Sequence, residues 1–212
     1  MIWSIVFIIL TGAVIVSAAV AAAVVCIVIL LNRRKGDYGR DETEVKTAGD
    51  RGEAEATRQI RQVLHNDDTL LTNVELTFDG MRTELDSVIV NTYGVFIIEV
   101  KNYSGVLKGG EDDFEWTKIK TTRGGKKFEK TVKNPIKQVR RQTYILAKYL
   151  ERGGTRAWVT GFVLLLQGNS PVQNKQILTS LSDLDHRIHT PGRKRLSAQT
   201  AKKICTLLRR SI

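Results

Sequence analysis

Residues 1–31 are apolar almost without interruption and contain no Asp, Glu, Lys or Arg. Beyond them the chain changes to short alternating and helical periodicities separated by polar breaks. A helix needs ~20 apolar residues to cross a bilayer, so the pattern predicts one N-terminal transmembrane helix over 1–31. A cleaved signal peptide competes with this, because Ser17–Ala23 is rich in small residues. The missing basic leader and the continuation of the run to Leu31 favour an uncleaved anchor. Arg33, Arg34 and Lys35 follow at once and no side-chain charge precedes, so the C-terminal side is expected in the cytoplasm. Residues 32–48 carry no apolar period and read as a polar tether, leaving 49–212 for one folded domain.

Within that domain Ala56, Ile60, Val63 and Leu64 recur at helical spacing and predict a helix over 52–64. Glu53 and Glu55 suit its first turn, where the helix dipole favours negative charge. Strands are expected at 70–76, 84–90 and 95–101, with Asp79-Gly80 as a turn. The short connection at 91–94 makes the last two antiparallel neighbours. Residues 105–107 and 114–119 read as further strands around Gly109-Gly110, and 121–133 as a basic loop containing Gly124-Gly125. Asn134-Pro135 is a helix start, since Asn caps well and Pro is tolerated at the first helical position. Ile136, Val139, Thr143, Leu146 and Leu150 mark the inner face of that helix, and Gly153-Gly154 its end. Residues 159–166 form an apolar run of buried-strand length, 177–181 another candidate strand, and 197–210 a Ser-capped helix. The order helix, three strands, helix, strand makes a mixed α/β layered domain.

Charge adds a partner class. Of 33 basic and 22 acidic residues, eleven basic and one acidic lie between Lys118 and Lys148, and eight basic with no acid follow His186. Such clustering suits a polyanion through phosphate contacts and counterion release; anionic lipid or plain solvation are the competing readings. Lys126, Lys127, Lys130, Lys133, Lys137, Arg140 and Arg141 are the candidate nucleic-acid contacts. Cys26 and Cys205 are too few for a disulfide framework and read as small packing residues. His65 ends a helix and His186 and His189 fall in a polar loop, without the spacing of zinc hydrolases. Trp116 and Trp158 are expected in the core.

The chemistry concentrates in GVFIIEVKN, residues 94–102. Side chains alternate along a strand, so Glu99 and Lys101 share the face of Val95 and Ile97 at the strand's end. Charges continuing a buried face are costly unless neutralised. Asp86, early in the preceding strand, is brought beside them by the hairpin. Two carboxylates and an ammonium there can hold a divalent cation and a water side by side, with Lys101 acidified by the metal to assist that water. The bland alternative is a surface ion pair worth under ~1 kcal/mol.

Gly52-Glu53 at a helix start, Glu84-Leu85-Asp86, Phe96–Gly105 (FIIEVKNYSG) and Asn134-Pro135 with Gln138 together resemble the nuclease-related domain, NERD, over about 49–166. That family is similar to the PD-(D/E)xK nucleases. The resemblance implies a restriction-endonuclease-like mixed sheet flanked by helices. It further implies Mg²⁺ or Mn²⁺ held by Asp86 and Glu99, with Glu53 completing or supporting the site, Lys101 assisting the attacking water and Gln138 in support. Nucleic acid, DNA foremost, is the implied substrate, and many related nucleases work as homodimers. Leu85 stands where the superfamily pattern has Pro. Three functions are therefore in play: a membrane-anchored metal-dependent nuclease, a catalytically silent nucleic-acid-binding or interaction module on that fold, and a lipid-surface adaptor. The last leaves Asp86, Glu99 and Lys101 unexplained.

Overall fold

The computed structural model describes residues 52, 54–191 and 195–211. The expected transmembrane segment, the tether and Glu53 lie outside the described residues. Among those described, no helix is long and apolar enough to cross a membrane.

The described residues open with helix α1 (54–61), then β1 (Thr69–Phe78), β2 (Met81–Asn91) and β3 (Gly94–Lys101) as an antiparallel meander. Asp79 (φ 49°) and Gly80 (φ 71°) make the two-residue β1–β2 turn. Positive φ at both central residues matches the twist of the flanking strands, which explains Asp-Gly there. A small antiparallel sheet follows, β4 (Val106–Lys108), β5 (Glu115–Thr121) and β6 (Lys127–Lys133). Helix α2 (Pro135–Arg152) returns the chain to β7 (Val159–Leu165), which pairs parallel to β3; β8 (Ile177–Leu178) extends the sheet to the order β1-β2-β3-β7-β8. Helices α3 (Leu181–His189) and α4 (Ala198–Leu208) complete the domain.

Alternation along β3 distributes its apolar side chains over two cores. Val95 and Ile97 pack with Val139, Ile145 and Leu146 of α2 and with Ile204 and Leu208 of α4. Phe96 and Ile98 pack on the other face with Ile60 of α1 and Leu184 and Ile188 of α3. A parallel strand covered on both faces reads as a continuous apolar run, as β7 does. Trp116 and Cys205 are buried, as expected of packing residues.

Three expectations are corrected. The basic segment 121–133 is not an open loop: Lys127–Lys133 is a strand paired with β5 in the register Lys118↔Lys130. Its side chains are exposed apart from the half-buried Val132, so no apolar alternation announces it. His186 and His189 lie in α3 rather than a loop; Ser180 caps that helix by accepting from the Asp183 backbone N–H. Trp158 is 82% exposed, because it stands one residue ahead of β7 with its ring outside both cores.

Helix α1 supplies a pH test. The Glu55 carboxylate accepts from Arg58 (2.7 and 3.0 Å) and Gln59 (2.8 Å). The Arg58 hydrogen bonds, then that of Gln59, hold it down at about 2 against an ordinary 4.5. A carboxyl depressed on folding stabilises the native state fully above the ordinary value and loses that contribution as pH falls through the folded one. The melting temperature of Glu55→Gln should therefore respond less steeply to acid between pH 4.5 and about 2 than that of the wild type. Equal slopes in calorimetry would refute the coupling.

Candidate active site

Glu99 is the centre. It follows Val95–Ile98 on β3, points to the α2 side as alternation requires, and is 1% exposed. A carboxylate at that depth needs full compensation. Lys101 Nζ donates to Oε1 at 2.5 Å, Gln138 Nε2 to the same oxygen at 2.7 Å, and Gln142 Nε2 to Oε2 at 2.6 Å. Gln138 and Gln142 are one helical turn apart on the inner face of α2. The helix is placed by Asn134, whose Oδ1 accepts from the Ile136 backbone N–H. The Asn134 amide donates to the Gly110, Glu111 and Asp113 carbonyls. One asparagine thus caps the helix and ties its start to the β4–β5 connection.

Asp86 comes from β2. Its Oδ2 accepts from the Val100 backbone N–H at 3.1 Å, which sets the carboxylate against β3 between Glu99 and Lys101 in sequence. The hairpin therefore brings Asp86, Glu99 and Lys101 together. Burial alone would pull the Lys101 ammonium down. The charge and hydrogen bond of Glu99 outweigh it, Tyr103 and Asp86 add to them, and the net shift is upward. The expected acidified lysine is thus not a property of the side chains alone. Burial also pushes the Tyr103 phenol up, opposed by Lys101 and reinforced by Glu99. Gln142 Oε1 is buried with no hydrogen-bond partner among the described residues, while its amide nitrogen also reaches the Glu84 carbonyl at 3.1 Å.

The basic candidates form two groups. Lys126, Lys127, Lys130 and Lys133 lie on the β5–β6 turn and β6, all of them exposed. Lys126 stacks over Phe128 at 5.0 Å and Lys137 over the 83%-exposed Phe114 at 4.0 Å. Arg140 and Arg141 are on α2, but Arg140 is engaged by Glu111, Asp112 and Gln176. Arg141 donates to the Arg82 carbonyl at 3.3 Å.

The family model of the nuclease-related domain, NERD, matches residues 48–166, more than half of the 212. The chain belongs to the NERD family. No curated protein and no solved structure matches it.

The NERD segment spans Asp86, Glu99, Lys101, Gln138 and Gln142. Gln142 is the residue that sequence reasoning missed; its signal was the Gln138-x-x-x-Gln142 spacing, which places both amides on one helical face. Also missed was a second group, His65, Asp185 and His189, whose donor atoms lie within 4.8 Å of one another. Asp185 and His189 share the i, i+4 spacing, but the segment carrying them was expected to be a loop.

Proposed function

We propose that this NERD protein is a metal-dependent nuclease, anchored in the membrane through residues 1–31. In this reading it hydrolyses phosphodiester bonds in DNA on the cytoplasmic side. The observation that carries this reading is the fully buried Glu99 carboxylate, fixed by three side-chain donors beside Asp86 and Lys101 at a strand end. A buried charge held that firmly is an expensive way to make a surface ion pair. It is what a preorganised ligand requires.

The donor set suits a hard cation. Two carboxylates, Asp86 and Glu99, and the unpartnered amide oxygen of Gln142 are all oxygen donors, the chemistry selected by Mg²⁺ or Mn²⁺. When bound, such an ion neutralises phosphate charge and acidifies water. Asp86 and Glu99 would hold it, with Glu53, outside the described residues, as a further carboxylate. Gln138 and Gln142 keep Glu99 in one rotamer. Lys101, partly exposed at the strand end, orients water or the scissile phosphate through its charge. Lysines of β6 and Lys137 bind the backbone by counterion release, while Phe114 and Phe128 offer ring faces beside them.

The test is incubation of the detergent-solubilised chain with single- and double-stranded DNA in Mg²⁺, Mn²⁺ or chelator. Cleavage that disappears with chelator is expected; no cleavage under any condition sinks the proposal. One observation favours the silent binding module instead: Lys101, Gln138 and Gln142 already satisfy Glu99 without an ion. Salt-dependent binding without cleavage would select that module. Under either reading, replacing Lys126, Lys127, Lys130 and Lys133 together by Ala should weaken binding. The salt slope should fall by ~0.9 for each duplex phosphate that the variant no longer neutralises, or ~0.7 on single strands. An unchanged slope would exclude β6 from the interface.

A further inference from the structure

On the sheet face opposite Glu99, the end of α3 meets the turn that leads from α1 into β1. Asp185 and His189 are four residues apart on α3, so their side chains stand one turn apart on one face. His65 enters from the turn, and its ring stacks on that of His189 with centroids 3.6 Å apart. Donor atoms of the three lie within 4.8 Å of one another.

His189 is held as metal-binding histidines are held. Its Nε2 pairs with Asp68 Oδ2 at 2.8 Å, and the Asp68 side chain is 0% exposed. Asp68 is fixed in turn by the Asn91 amide at 2.8 Å and the His65 backbone N–H at 2.7 Å. A carboxylate on one ring nitrogen sets the ring's orientation and raises the basicity of the other. The other nitrogen, Nδ1, faces Asp185 Oδ1 at 2.6 Å.

We propose that His65, Asp185 and His189 form a binding site for a zinc-class transition-metal dication, with Asp68 as the outer partner of His189. Two imidazoles and one carboxylate select zinc or its first-row neighbours, unlike the all-oxygen set at Glu99. Bonds of ~2.0–2.2 Å in a tetrahedron place donors roughly 3.3 Å apart. Asp185 therefore withdraws from its 2.6 Å contact, and His65 rotates out of the stack to turn a ring nitrogen toward the ion. Both movements fall on side chains about half exposed, 47% for Asp185 and 59% for His65, while the hydrogen-bonded His189–Asp68–Asn91 chain stays in place. The ion replaces the Nδ1 proton of His189, which passes to solvent. A bound ion would clasp α3 to the α1–β1 turn. This site does not depend on the nuclease reading.

The test uses the full chain in detergent, stripped by chelator and titrated with Zn²⁺ and Co²⁺ by calorimetry and visible absorption. In a background of Asp86→Asn with Glu99→Gln, which disables the other centre, one equivalent should still bind. Co²⁺ should give the visible bands of a tetrahedral nitrogen–oxygen site. Zn²⁺ at a hundredfold above Kd should raise the melting temperature by ~5–10 °C. His65→Ala removes an exposed ring and leaves the Asp68 network intact; it should weaken binding at least tenfold. Asp68→Asn should weaken it ~10–100-fold. Loss of all binding in the Asp86/Glu99 background, or undiminished affinity in His65→Ala, overturns the proposal. If Asp68→Asn does not fold, the His65 variant still decides.

Discussion

Lys101→Met is expected to lower the proposed metal-dependent DNA cleavage by ~10²–10⁴-fold, the range for a side chain that manages a proton or charge in the transition state. Glu99→Gln should reduce cleavage at least as far, because in the proposed reading it removes a metal-binding charge while keeping the shape. DNA affinity should change little in either variant, since the candidate contacts lie on β6 and α2. Single-turnover cleavage measured beside equilibrium binding separates the two effects. Glu99 is 1% exposed and Lys101 22% by side chain, so deleting one partner also costs stability. Circular dichroism must therefore establish folding at the assay temperature. Full cleavage by folded Lys101→Met would exclude the lysine from the reaction.

Gly161→Val is expected to act through packing. Gly161 lies on β7 opposite Ile97 of β3, where α2 crosses the sheet closely. A Cβ there would stand 2.4 Å from Thr143 Oγ1 and 2.7 Å from Val139 Cγ2, with the Val139 carbonyl at 3.2 Å. Relief requires α2 to lift from the sheet, and overpacking of this kind costs about 1–3 kcal/mol. For a chain this long that lowers the melting temperature by ~2–12 °C. Val139 lies between Gln138 and Gln142, so the same lift loosens the bonds that fix Glu99. In the nuclease reading, cleavage should fall with stability. A wild-type melting temperature would mean that α2 is not pressed on β7 as described.

Much of this architecture was legible because burial leaves a periodic trace. The runs 95–98 and 159–165, the Asp79-Gly80 turn and the Asn134-Pro135 helix start each follow from local chemistry. Alternation likewise put Glu99 and Lys101 on the face of Val95 and Ile97, and the packing against α2 agrees. Strand β6 was illegible because an exposed strand has no apolar face to alternate; cross-strand hydrogen bonds define it. Trp158 misled because residue type predicts burial only on average.

From its residues alone the chain declares an α/β element order, an apolar N-terminal run, a basic middle and the neighbourhood of Asp86, Glu99 and Lys101. These follow from periodicity, turn chemistry and hairpin adjacency, which act over a few residues. Pairings between distant segments were decided only by packing: Gln142 on Glu99 across 43 positions, and His189 on Asp68 across 121. No local pattern records such pairs, because each partner satisfies its own helix, strand or turn equally well without the other.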